Sequence, residues 1–233
     1  MGKIGTFSQK KQGGVFMQSF DTIRRDGAIR TYIQMADKSL EALGFTEHSF
    51  PHVLRVAEQA AQLLKAVGYD ERTQELTKIA GYLHDIGNLV NRHDHSQSGA
   101  ILAFRLLSER GFSPEEIAPI VSAIGNHDEG SGSPVSPMAA ALILADKADV
   151  RRSRVRDTKN MERDIHDRVN YSVTDARLLV KDGEVCLSLS IDTEISSVME
   201  YFEIFTERML LCRKAATVLG LRFRLYANGQ PLI

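Results

Sequence analysis

Cysteine is scarce in this chain: Cys186 and Cys212 are the only two among 233 residues. Two such residues make neither a disulfide framework nor a zinc-ligand pattern. Both read as reduced, buried thiols of a cytoplasmic protein. Net charge is nearly absent as well, at a formal −1, which argues against a strongly electrostatic partner such as bulk nucleic acid. No apolar run approaches the ~18–20 residues of a membrane span. The opening stretch MGKIGTFSQKKQGG is polar and glycine-rich and lacks the apolar region of a signal peptide, so residues 1–18 are expected to be a flexible tail. What remains is 43% hydrophobic and 25% charged. That is enough to bury a sizeable core in one domain, or in a domain with an appendage.

From about residue 19 to 170 the pattern is helical. IRTYIQMADKSLEAL places Ile29, Ile33, Ala36, Leu40 and Leu43 at helical spacing, and Gly44 stops it. HVLRVAEQAAQLLKAV repeats the pattern through Val53, Val56, Ala60, Leu63 and Val67 up to Gly68. ERTQELTKIAGYLHDIG and SGAILAFRLLSERG follow as further amphipathic segments. Ser113-Pro114-Glu115-Glu116 is a helix start with serine cap, proline at the first position and glutamate three residues on. Ser136-Pro137 opens MAAALILADKADVRR in the same way, after the loop GSGSPVSP. Beyond about residue 170 the period changes. DARLLVKDGEVCLSLSID alternates about an Asp182-Gly183 turn as a β-hairpin does. A long helix closed by Gly220 and a last strand, LRFRLYANG, complete a small β-β-α-β unit over residues 171–233.

Six of the seven histidines fall between positions 48 and 127. His52 begins one predicted helix, the pair His84-Asp85 ends another, and Asp146 lies inside the apolar run ALILADKADV. Adjacent helical residues point about 100° apart, so His84 and Asp85 can both reach one ion lying between them, and a carboxylate can bridge two. An aspartate in an apolar run is costly to bury unless it is paired or binds metal; the alternative for Asp146 is a salt bridge to Lys147 or an arginine. Histidine and aspartate are ligands for borderline and hard divalent ions, and a helical bundle that turns one or two inward per helix builds a metal site in its core. Four donors leave coordination positions open for water and substrate, as catalytic sites do. A second dipeptide, His166-Asp167, stands among charged residues, and His166 is expected at the surface.

The strings HVLRV, YLHDIGN, IGNHDE and LADKADV together resemble the HD-domain superfamily of metal-dependent phosphohydrolases, from about Thr46 to Arg156. The resemblance implies a mainly α fold, an HD-type helical bundle over residues 19–170 with the α+β appendage behind it. HSQSGAIL and NHDEG are similar to elements of the HD-GYP phosphodiesterases, which implies that His95 and His127 hold a second ion. His93 and His48 are competing candidates. Three features depart from those relatives: Asp128 replaces a second histidine, Asn88 replaces a lysine, and GSGSPVSP stands where the GYP signature would be. Cyclic dinucleotides are therefore not the default substrate.

The resemblance implies hydrolysis of a nucleotide or other small phosphate ester at a mono- or binuclear site, with two divalent ions per chain expected, the metal being any of manganese, iron, magnesium, cobalt, nickel or zinc. Asp85 is the expected catalytic ligand. Lys147 and Arg151, following Asp146 at one residue and about one turn, are expected to contact the phosphate along with Asn88, because cations and the planar arginine fork suit it. Arg152 and Arg154 read as a solvated helix C-terminus, and Asp149 either orients Lys147 or is exposed. The appendage is expected to serve assembly, including a homo-oligomer, or the site entrance, without chemistry of its own. Two other readings stay open: a mixed-valent di-iron oxygenase with the same ligands, and a non-catalytic regulatory protein that binds a ligand in its HD core.

Overall fold

A computed structural model describes residues 18–156 and 165–233; the expected tail lies outside the described residues except for Gln18. Seven helices come first: α1 (Phe20–Arg25), α2 (Gly27–Ala42), α3 (Phe50–Ala66), α4 (Glu71–Leu83), α5 (His95–Glu109), α6 (Pro114–Gly125) and α7 (Pro137–Lys147). After α8 (Ile165–Ser172) come β1 (Val173–Lys181), β2 (Glu184–Ile191), α9 (Val198–Val218), β3 (Arg222–Ala227) and the short β4 (Gln230–Pro231). This is a mainly α protein, a helical bundle with a small α+β unit at its C-terminal end. The sheet order is β1-β2-β3-β4, with β2 and β3 parallel across the α9 crossover and the other pairs antiparallel. The expected β-β-α-β unit thus gains a fourth strand, two residues long. Among the described residues no helix is long and apolar enough to cross a membrane.

Local chemistry sets the element ends. Ser113 and Glu116 form the expected capping box of α6, and the Ser136 hydroxyl accepts from the Ala139 N–H at the start of α7. The hairpin turns through Asp182 and Gly183, both with positive φ (51° and 76°), the backbone form that an Asp-Gly pair adopts most readily. Two ends differ from the sequence reading. α4 stops at Leu83, and the chain passes through His84 and Asp85 into a 3-10 turn at Ile86–Leu89. α7 stops at Lys147, so Asp149 and Arg151 leave the helix and do not continue its face.

Close helix crossings position these ends. A Cβ added at Gly81 would lie 2.7 Å from Ala57 Cα, so glycine lets α4 cross tightly over α3. α7 is apolar all round: every residue from Met138 to Ala145 is buried, which requires neighbours on all sides. α3, α4 and α6 cover part of it, and α9 covers the rest. The apolar core therefore runs without a break from Phe20 to Ala227. The change of period near residue 170 marks a change of element type, and the packing continues across it.

Candidate metal centre

His52, His84, Asp85, His95, His127 and Asp146 come from three helices and two helix-end turns, yet they meet in one place. His52 stands in the first turn of α3 and is buried, as are His84, Asp85, His95 and His127. His52 Nε2 lies 3.3 Å from His84 Nε2, 3.5 Å from Asp85 Oδ2 and 3.5 Å from Asp146 Oδ1. His84 Nε2 lies 3.1 Å from Asp85 Oδ2 and 3.7 Å from Asp146 Oδ1. The other oxygen of Asp85 faces a second pair: Oδ1 is 3.4 Å from His95 Nε2 and 3.9 Å from His127 Nε2. Those two nitrogens are 3.2 Å apart.

Every one of the four rings is held by its Nδ1. His52 Nδ1–H donates to Asp149 Oδ2 at 2.8 Å, and His84 Nδ1–H to the Gly81 carbonyl at 2.8 Å. His95 donates to the Arg92 carbonyl at 3.1 Å and His127 to the Ile124 carbonyl at 2.6 Å. This leaves each Nε2 with its lone pair turned inward, and an outer partner of this kind fixes tautomer and ring direction in metal sites. Two lone pairs 3.2–3.3 Å apart repel unless a cation stands between them. A metal–nitrogen bond near ~2.1 Å sets neighbouring ligand atoms about 3.0–3.4 Å apart in octahedral or tetrahedral geometry. The donor set fits a divalent ion: His52 and His84 stand on one oxygen of Asp85 with Asp146 beside them, and His95 and His127 stand on the other. Three ligand triads, His52–His84–Asp85, His84–His127–Asp146 and Asp85–His95–His127, lie close enough for a shared ion.

Without an ion a proton serves as the cation. Burial opposes charge on His84, but the carboxylates of Asp85 and Asp146 outweigh it and push its pKa up to about 10. Burial would also raise the two carboxyls; the His84 charge beside Asp85, and Lys147 beside Asp146, hold both well below the usual carboxylate range. His127 goes the other way, down to about 3, because burial, then the charges of His84 and Lys147, disfavour its protonation.

The centre forms the floor of a cleft of about 350 Å³. Arg92, Lys147, Arg154 and Arg208 reach the cleft, as do His48, Asp128 and Glu129. Lys147 is buried and sits 2.7 Å from Asp146 Oδ2, with Glu129 as its second partner. Burial opposes its charge, yet these carboxylates push its pKa up to about 12. Four expectations change here. Arg151 does not line the cleft: the chain has left α7, and its guanidinium lies on Asp149 at 2.6 Å and near Glu47, behind His52. Asn88 is buried and donates to Asp85 Oδ1 at 3.1 Å, so it orients the carboxylate and does not line the cleft. Asp149 is buried under His52. Arg154, read as solvated, is buried, with the Glu47 and Asp149 carbonyls as acceptors.

The remaining histidines separate. His93 is exposed and paired with Asp94 at 2.7 Å. His48 lines the cleft with its Nδ1 on the Thr46 carbonyl at 2.7 Å and its ring edge against His52. His166 is exposed, as expected, but at the cleft mouth beside Phe205. Sequence reasoning missed Arg92, Asp149, Arg154 and Arg208. For Asp149 a signal existed: the burial argument applied to Asp146 holds equally for an aspartate between Ala148 and Val150.

The HD domain family matches residues 50–153. An uncharacterised protein of Methanocaldococcus jannaschii is 26% identical over 165 residues, which is 61% of this chain and 63% of the relative. The shared region therefore spans less than two thirds of that relative's length. The crystal structure of a predicted HD superfamily hydrolase from an uncultured Thermotogales bacterium superposes with a TM-score of 0.43 at 28% identity, over 53% of this chain and 67% of that one. All six converging donors lie within residues 50–153, the stretch that matches the HD domain family.

Proposed function

We propose that the chain is a metal-dependent phosphohydrolase acting on a small phosphate ester, a nucleotide or a compound of similar size, with two divalent ions per chain. One observation carries this reading. The two oxygens of Asp85 face two different histidine pairs, at the floor of a cleft that Arg92, Lys147, Arg154 and Arg208 also line. Bound divalent ions would lower the pKa of coordinated water toward ~7 and neutralise phosphate charge. The chain's own residues do the rest. His52, His84 and Asp146 would hold one ion and His95 and His127 the other, with Asp85 shared. Asn88 and Asp149 fix the directions of Asp85 and His52. Lys147 and the arginines place and neutralise an anionic group, which is most of what phosphoryl transfer requires of a protein.

The test is elemental analysis of protein purified without added metal, followed by a phosphate-ester panel with Mn²⁺, Mg²⁺, Co²⁺ and Fe²⁺. The expected result is about two metals per chain and phosphate or nucleoside monophosphate release that chelator abolishes. A panel silent with every metal, while the iron form consumes oxygen with an organic substrate, would replace this reading with the di-iron oxygenase. Lys147→Ala is expected to raise KM more than it lowers kcat, if the ammonium contacts phosphate equally in ground and transition states.

A further inference from the structure

Arg208 stands on α9, outside the residues matched by the HD family, in the segment whose sequence carries no cluster of metal-type ligands. Beside it Phe205, Met209 and Cys212 recur about one turn apart and are buried, as expected of the helix face turned to α7. That placement carries the guanidinium into the cleft. It lies 4.3 Å from the centroid of the Phe205 ring, and its Nη2 donates to Glu129 Oε1 at 3.1 Å. Lys147 reaches the other oxygen of the same carboxylate. Glu129 thus fastens the α9 arginine to the α7 lysine, next to the metal ligand Asp146.

The guanidinium is under-used. It has five N–H donors, and among the described residues Glu129 is its one hydrogen-bond partner. Its Nε is shut off from solvent with no acceptor. A buried donor without a partner is costly, and the fork stacked on an aromatic ring is already ordered for an incoming anion. An arginine fork matches phosphate oxygens in a way an ammonium does not.

We propose that Arg208 is a substrate-binding residue, donating to a non-bridging oxygen of the phosphate ester while Glu129 holds it beside Lys147. The inference rests on the phosphohydrolase reading above and makes the C-terminal unit a contributor to the site. The segment after residue 170 then completes the anion-binding end of a cleft whose metal ligands all lie before it.

Orthophosphate binding to the manganese-loaded full chain tests this, measured by calorimetry on wild type, Arg208→Ala and Arg208→Lys. The expected result is binding about tenfold to a hundredfold weaker in Arg208→Ala, with Arg208→Lys between the two, since loss of a hydrogen bond to a charged group has that size. Manganese content and thermal midpoint should stay at wild-type values, which separates contact from a structural role. Wild-type affinity in a folded Arg208→Ala overturns the assignment. Should that variant not fold, crystals of the wild-type manganese protein soaked in orthophosphate decide: a phosphate oxygen on the Arg208 guanidinium supports it, and one out of hydrogen-bond reach overturns it. If the wild type neither binds orthophosphate nor hydrolyses any ester, the phosphohydrolase reading falls first and takes this one with it.

Discussion

Replacing Gly87 with alanine should damage the second half of the metal centre selectively. Gly87 lies in the 3-10 turn after Asp85, pressed against the first turns of α5. An added Cβ would come within 1.9 Å of the His95 carbonyl oxygen and 2.5 Å of the Gly99 nitrogen. Ordinary contact lies near ~3.5 Å, so the α5 backbone must retreat by more than about 1 Å. Inserting a methyl group into a close-packed site costs about 1–3 kcal/mol, occasionally more. Both atoms belong to the α5 backbone, which cannot rotate away, and this places the cost at about 3 kcal/mol or above. The retreat carries His95 off Asp85 Oδ1, while His52, His84 and Asp146 are anchored on α3, α4 and α7. Denaturant melts with and without metal, together with metals per chain by mass spectrometry, read both effects. We expect a large loss of stability, occupancy falling from about two ions toward one, and activity down on the order of a hundredfold, the scale of a 1 Å misplacement. Gly27→Ala is the control, since a Cβ there meets nothing within 4 Å and should be neutral or stabilising by up to ~1 kcal/mol. A Gly87→Ala protein as stable as wild type, holding the same two ions, would refute the reasoning.

Asp85→Ala should lose both ions and all activity while circular dichroism stays helical, because one Asp85 oxygen faces the His52–His84 pair and the other faces the His95–His127 pair. Asp149→Asn should weaken metal binding about 10–100-fold, the usual effect of removing an outer partner of a ligating histidine, measured by competition with a chromogenic chelator. Metal binding should release about one proton at pH 7, seen as buffer-dependent heat in calorimetry: His84 keeps its proton in the metal-free protein up to about pH 10, and that proton must leave before Nε2 can ligate. Affinity should accordingly rise with pH below that value, and affinity flat between pH 6 and 9 would contradict it.

The sequence reveals the donors because of where they stand. His52, His84-Asp85 and Asp146 interrupt apolar helical patterns, and a polar group in an apolar run needs a partner. The partners of the outer residues are less legible. Asp149 meets His52 across 97 positions, and Arg208 meets Glu129 across 79. Periodicity within one helix carries no information about such pairs. The reading of Arg151 failed for a local reason: a helix continued by one more turn would have carried it past Asp146, but α7 ends at Lys147 and turns the chain under His52.

The role of the C-terminal segment follows from α7. Its residues Met138 to Ala145 are buried on every side, a pattern that could equally mark a helix wrapped wholly within the bundle. The sequence shows the need for cover, while the fold shows that α9 supplies part of it. The helix that closes the core behind Asp146 is thereby the helix that brings Phe205 and Arg208 to the cleft. Packing and site geometry are coupled through one surface. A substitution on the α9 face toward α7, such as Met209→Ala, should then cost about 2–5 kcal/mol as a buried methionine and also weaken orthophosphate binding by letting Arg208 drift, while leaving the metal ligands in place. A Met209→Ala protein that melts lower yet binds orthophosphate as wild type does would show that the two functions of α9 are separable.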